Sequence, residues 1–174
     1  MMRRFLLCFA AVLALSLPVR AGDDEVVDRI LSRIEGKRVS FDYSYTLRSG
    51  GVPVQGSGHA VLEGRSYRAE GGGLVIRCDG ATRWTVDPKA KEVYIESAGD
   101  DKDWFDKPAE FLRSVENLSY DGDNLSGVIA RPGDSTRLSC SLSSIRTREP
   151  LGNADEFRFN PATLGSDWII TDLR

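Results

Sequence analysis

Val39-Ser40-Phe41-Asp42-Tyr43-Ser44-Tyr45-Thr46-Leu47-Arg48, the turn Gly50-Gly51, and the returning stretch Val54-Gln55-Gly56-Ser57-Gly58-His59-Ala60-Val61-Leu62-Glu63 decide the fold class of this chain. Phe41, Tyr43, Tyr45 and Leu47 alternate with Ser40, Asp42, Ser44, Thr46 and Arg48, a period of two that describes a strand with one apolar and one wet face. The glycine pair turns the chain and residues 54–63 return beside it. Gly56, Gly58 and Ala60 share a face of the return strand, leaving little side-chain bulk where a neighbour would approach closely.

Working toward the C-terminus, short strands follow in meander order at residues 66–70, 74–79, 82–87 and 92–97, with turns at Gly71-Gly72-Gly73, Asp79-Gly80 and Asp87-Pro88. Asp106-Lys107-Pro108-Ala109-Glu110 reads as the capped, proline-bearing start of a helix whose apolar stripe is Phe111, Leu112 and Val115. Strands resume at residues 125–130, 136–142, 157–160 and 168–172, with a further one expected near 145–148. Upstream, Val26, Val27, Ile30, Leu31 and Ile34 recur at steps of three and four, the mark of a short amphipathic helix over residues 23–35 that Gly36 stops.

About ten antiparallel strands and two helices predict a mainly β (α+β) domain, an unclosed barrel or strongly curved sheet. Two short helices cover only part of a wide apolar inner face, so apolar surface is left for a hydrophobic guest. A sheet folded back on itself as a filled sandwich is the competing expectation.

Residues 1–21 have the layout of a secretory signal peptide: Arg3-Arg4, an apolar run from Phe5 to Leu17, and small residues before a cut after Ala21. The apolar run is about 13 residues, against roughly 20 for a spanning helix. The expected mature chain is residues 22–174, one domain exported to the periplasm. The full chain carries 23 basic and 26 acidic residues, a net charge of −3. With no concentration of Lys and Arg on one face, nucleic-acid binding is not expected. The one dense acidic run, Asp100-Asp101-Lys102-Asp103, reads as a solvated loop. Cys78 and Cys140 remain after processing, and sequence leaves open a bridge or two separate buried thiols.

Catalytic signals are sparse. His59 is the single histidine, expected exposed on the outer strand face; no activating context surrounds either cysteine, and no glycine run precedes a helix. Neither enzyme activity, a cofactor nor a metal is expected.

The segment from Leu74 through Asp79-Gly80 and Thr82-Arg83-Trp84-Thr85-Val86-Asp87-Pro88 to Lys91-Glu92-Val93-Tyr94-Ile95 resembles the outer-membrane lipoprotein carrier family, the LolA-like proteins. The Gly56-Ser57-Gly58 strand, the helix entered through Lys107-Pro108-Ala109-Glu110-Phe111-Leu112, and the closing Phe157-Arg158-Phe159-Asn160 and Trp168-Ile169-Ile170-Thr171-Asp172-Leu173-Arg174 follow in the same order. The ending resembles shorter Bacteroidetes-type members. The resemblance implies a half-barrel whose short helices form a lid over an apolar cavity that receives lipoprotein acyl chains or lipid. It also implies a monomer, an inner-membrane donor complex, an outer-membrane acceptor and transient contact with membrane surfaces. An envelope sensor of lipid or lipoprotein on the same fold is the alternative.

The expected lining is Phe41, Tyr43, Tyr45, Leu47, Leu62, Leu74, Ile76, Trp84, Val93, Ile95, Phe111, Leu112 and Val115. Where proteobacterial carriers have an Arg-Pro pair after the Gly-x-Gly strand, this chain has Glu63-Gly64-Arg65-Ser66-Tyr67-Arg68. Arg65 and Arg68 are therefore the candidates to set the lid.

Overall fold

A computed structural model describes residues 24–101, 107–130 and 135–174. The expected signal peptide, Asp23, Lys102-Asp103 and the expected cap Asp106 lie outside the described residues.

Helix α1 (Asp24–Ile34) carries Asp24 and Glu25 in its first turn and buries Val27 and Ile30. Gly36, at φ +66°, lets the Lys37 amide donate back to the Ile34 carbonyl and end the helix. Six strands follow: β1 (Arg38–Arg48), β2 (Val54–Glu63), β3 (Ser66–Gly71), β4 (Leu74–Cys78), β5 (Thr82–Asp87) and β6 (Glu92–Ser97). Helix α2 (Pro108–Ser114) begins with its proline in the first turn, where a missing N–H costs nothing. Then come β7 (Glu116–Tyr120), β8 (Leu125–Ala130), β9 (Arg137–Arg148) and β10 (Ile169–Asp172).

All ten strands form one sheet in the order β10-β6-β5-β4-β3-β2-β1-β9-β8-β7, whose edge strands β10 and β7 do not pair with each other. The sheet is therefore open, a half-barrel and not a closed barrel. Every neighbouring pair is antiparallel except β10 with β6, which is parallel because the chain crosses the sheet before rejoining it.

Three expectations are corrected. The stretches 136–142 and 145–148 are one strand: Ser40 pairs with Arg146 and Asp42 with Ser143, so two residues of β9 oppose Phe41 in a bulge, with Ser144 at φ +56°. The bulge breaks the period of two that the sequence displays. Residues 157–160 are not a strand; a 3-10 turn, Ala154–Phe157, buries Phe157 and the chain continues without regular structure. Strand β7 was not anticipated, because Asn117 at φ +53° and a register shift between Glu116 and Ser119 disturb its alternation.

Cross-strand partners point to the same side of a sheet, so the register assigns every residue to a face. On the inner face, which both helices cover, stand Tyr45, Cys140 and Gly127 in one row and Leu47, Leu138 and Ile129 in the next. Val115, Ile129 and Leu138 form a core there with Tyr45, Leu47, Phe111 and Leu118 packed on it. Val27, Ile30 and Leu112 form a second core that joins α1 to α2 and to Leu118, Tyr120 and Leu125.

The outer face has its own cover. After β9 the chain runs over this face, held where Leu151 and Gly152 amides donate to the Glu63 carboxylate (3.1 and 2.8 Å) and Arg38 donates to Glu156 (2.6 Å). Farther on, Arg77 donates to the Arg158 carbonyl (2.7 Å) and Lys91 pairs with Asp167. Phe159, Leu164 and Trp168 then pack on Trp84, Val86, Val93 and Ile95. This C-terminal strap ends as β10.

Candidate functional site

The expected lining divides between the two faces. Phe41 pairs with Ala60, Ala60 with Ala69, Ala69 with Ile76, and Ile76 with Thr85, which places Phe41, Tyr43, Tyr45, Leu47, Leu62, Leu74 and Ile76 together on the inner face. All seven are half-buried, neither sealed by the helices nor standing free in water. Phe111 is half-buried against the Val115, Ile129 and Leu138 core, as are Tyr45 and Leu47, while Leu112 and Val115 are fully packed, Leu112 between the helices and Val115 over Ile129 and Leu138.

Trp84, Val93 and Ile95 do not belong to that surface. Trp84 pairs with Arg77 and Ile95, so these side chains occupy the outer face, where Val93 is fully buried under the C-terminal strap. Alternation shows which residues of one strand share a face, but not which face turns inward. Both faces of β5 are buried, and the apolar half is the one facing the strap.

The lid-setting assignment of Arg68 is corrected for the same reason. Arg68 pairs with Val61 and Arg77, placing it on the outer face, where it bonds Glu70. Arg65 lies in the turn between β2 and β3, its side chain against Gly80.

Residues missing from the sequence-based lining complete the inner face: Leu125, Ile129, Leu138, Cys140 and Leu142. For the last three the signal was legible in Leu138-Ser139-Cys140-Ser141-Leu142-Ser143, a clean alternation. The face changes character toward β5 and β6. There Arg83 donates from both Nε and Nη2 to Glu96 (3.3 and 3.2 Å), and the Thr85 hydroxyl is buried with no hydrogen-bond partner among the described residues.

Burial governs the titration of the inner face. Desolvation pushes the Cys140 thiol up to about 11 and raises the Tyr43 phenol above its ordinary value. No disulfide joins Cys78 and Cys140, which stand in β4 and β9 on the inner face, separated by three intervening strands. His59 stands on the outer face, half exposed, its Nδ1 3.0 Å from the Asp42 carboxylate opposite it. Among the described residues no three His, Cys, Asp or Glu side chains converge as metal ligands, and no helix is long and apolar enough to cross a membrane.

No family model matches the chain, and no curated protein matches it. Among solved structures, it is similar to an uncharacterized conserved protein from Thermus thermophilus, with a TM-score of 0.46 and 10% identity over 85% of this chain and 97% of that one. A DUF1329 family protein from Desulfovibrio piger gives 0.44 and 10% over 82% and 97%.

Proposed function

We infer that this chain is an exported carrier that shelters the acyl chains of lipoproteins, or of free lipid, against the inner face of its half-barrel and delivers them across the periplasm toward the outer membrane. The observation that carries the reading is the half-buried apolar surface of Phe41, Tyr43, Tyr45, Leu47, Leu62, Leu74 and Ile76 beside a short lid. The sequence resemblance to the lipoprotein carriers and the open ten-stranded sheet support it.

The energetics favour an acyl guest. Each buried methylene contributes about 0.8 kcal/mol, so a long acyl chain brings on the order of 10 kcal/mol of gross transfer without any polar contact. Release needs a cover that opens at modest cost. Helix α2 has only seven residues and is held through Leu112, through Phe111 on the Val115 core and through Arg113 donating to Asp24, a small set of contacts to break when the cover opens.

Native mass spectrometry of the exported protein tests the reading. Bound lipid or acylated protein, with re-uptake of a fluorescent fatty acid after delipidation, is the expected result. A protein that arrives empty and takes up none is no carrier.

A further inference from the structure

We propose that the free edge of β10 pairs with the β10 of a second copy of this chain, in a two-fold antiparallel ladder that joins two half-barrels into one sheet. The proposal stands on the edge itself and does not depend on the acyl reading.

A sheet edge presents unpaired N–H and C=O groups, and folds commonly blunt it with charge, proline or a bulge. The β7 edge is blunted in this way: Glu116 is exposed at its start, Asn117 sits at φ +53°, and its register with β8 shifts before Ser119. The β10 edge is not. Its register with β6 is regular from Ile169 to Asp172, and it holds neither proline nor lysine. Its one charged side chain, Asp172, is neutralised from within, because Arg174 donates from Nε and Nη2 to the two carboxylate oxygens (3.0 and 2.7 Å). Among the described residues six large apolar side chains stand exposed, and three of them fall in this segment: Ile169 (59%), Ile170 (46%) and Leu173 (60%). An apolar edge without net charge suits a strand of its own kind better than a charged peptide.

The segment is complementary to itself. The Ile169 and Leu173 amides donate to the Lys91 and Ile95 carbonyls (2.9 and 2.8 Å), so the backbone groups of the alternate residues, Ile170 and Asp172, face away from β6. A two-fold partner must bond to those two residues, which leaves three registers. Asp172 opposite Asp172 sets like charges together, and Ile170 opposite Ile170 sets Leu173 against Asp167. Ile170 opposite Asp172 instead brings Ile169 against Leu173 of the second copy, twice, with Thr171 facing Thr171 on the axis. Ile169, Thr171 and Leu173 lie on the inner face, since Thr171 shares a row with Tyr94, Thr85 and Ile76. Both inner faces therefore open to the same side of the joined sheet. Five residues a side make a small interface, so a dissociation constant on the order of 10–100 μM is expected.

Sedimentation velocity of the exported protein from about 5 to 500 μM tests the pairing, with a monomer–dimer equilibrium as the expected result. I169K/L173K sets lysine against lysine and should weaken association about tenfold or more. I169K/L173E sets lysine against glutamate and should restore it to within about threefold of the parent. Both positions are exposed, and a thermal melt of each variant separates lost association from lost fold. Thr171→Cys should form an intermolecular disulfide under mild oxidant, because facing Cα atoms of a non-hydrogen-bonded pair stand about 4.5 Å apart. A monomer across the whole range, as the sequence resemblance implies, would leave the edge to another partner or to none and overturn the proposal. Association of I169K/L173E as weak as that of I169K/L173K would overturn it too.

Discussion

The Tyr43 hydroxyl lies over Gly58: a β-carbon on that glycine would come within 2.6 Å of the phenol oxygen and 1.9 Å of the Glu70 carbonyl oxygen. A β-carbon on Gly71, on the next strand, would come within 2.6 Å of the same hydroxyl, and one on Gly56 within 2.5 Å of the Tyr45 hydroxyl and 2.6 Å of its ring. The glycines of β2 are therefore floor for two tyrosines laid flat across the sheet. The inner face above them is aromatic.

Gly58→Ala forces a methyl group into a backbone carbonyl, so it should cost about 2–4 kcal/mol by urea denaturation. Gly56→Ala meets only the movable Tyr45 side chain and should cost clearly less. Equal stability of Gly58→Ala and the parent would remove the close approach of β3 to β2 from the account.

Thr85 is 2% exposed and its hydroxyl is unbonded among the described residues. Thr85→Val keeps the shape and removes a polar group that gains nothing from burial, so stability should rise by about 1 kcal/mol. A loss of stability in the same denaturation measurement would mean that the hydroxyl does find a partner.

Glu63 anchors the C-terminal strap. Burial alone would raise its pKa, but the Leu151 and Gly152 amides and Arg38 outweigh this and hold it below the usual carboxylate value. Asp79 is likewise lowered, burial being outweighed by the Thr82 and Ala81 amides and by Arg158 of the strap. A carboxyl with a depressed folded pKa stabilises the fold above its unfolded value of about 4 and loses that contribution as pH falls through the folded one. Hydrogen-exchange protection factors across residues 149–168, taken relative to the intrinsic rate at each pH, should therefore fall below about pH 4. Glu63→Gln should already show fast exchange at pH 7 and a shallower acid response. An unchanged strap in acid would contradict this anchoring.

Cys140, with its thiol near 11, is almost entirely protonated at pH 8. A thiol-specific reagent at that pH should label the native protein slowly, and labelling in denaturant should reveal both Cys78 and Cys140 as thiols. Immediate native labelling of Cys140 would show that the inner face at β9 is open to water.

Much of this architecture is written in local pattern. Strands β2, β5, β6 and β8 coincide with the expected stretches, because polar and apolar residues alternate across the two faces of a strand and impose a period of two. The inner-face set from Phe41 to Ile76 was legible for the same reason. The facing of Trp84, Val93 and Ile95 was not: it depends on Phe159, Leu164 and Trp168 arriving from far along the chain to supply a second apolar layer. The bulge at Ser144 and the positive φ at Asn117 were hidden too, since neither residue is a glycine that would announce such a conformation.

A fatty acid bearing a photoreactive diazirine at its methyl end, crosslinked to the delipidated protein and mapped by mass spectrometry, tests the acyl surface most directly. Adducts on Tyr43, Tyr45, Leu47 and Phe111 are the expected result. Adducts confined to the strap side at Phe159, Leu164 and Trp168, or no saturable adducts at all, would contradict the account.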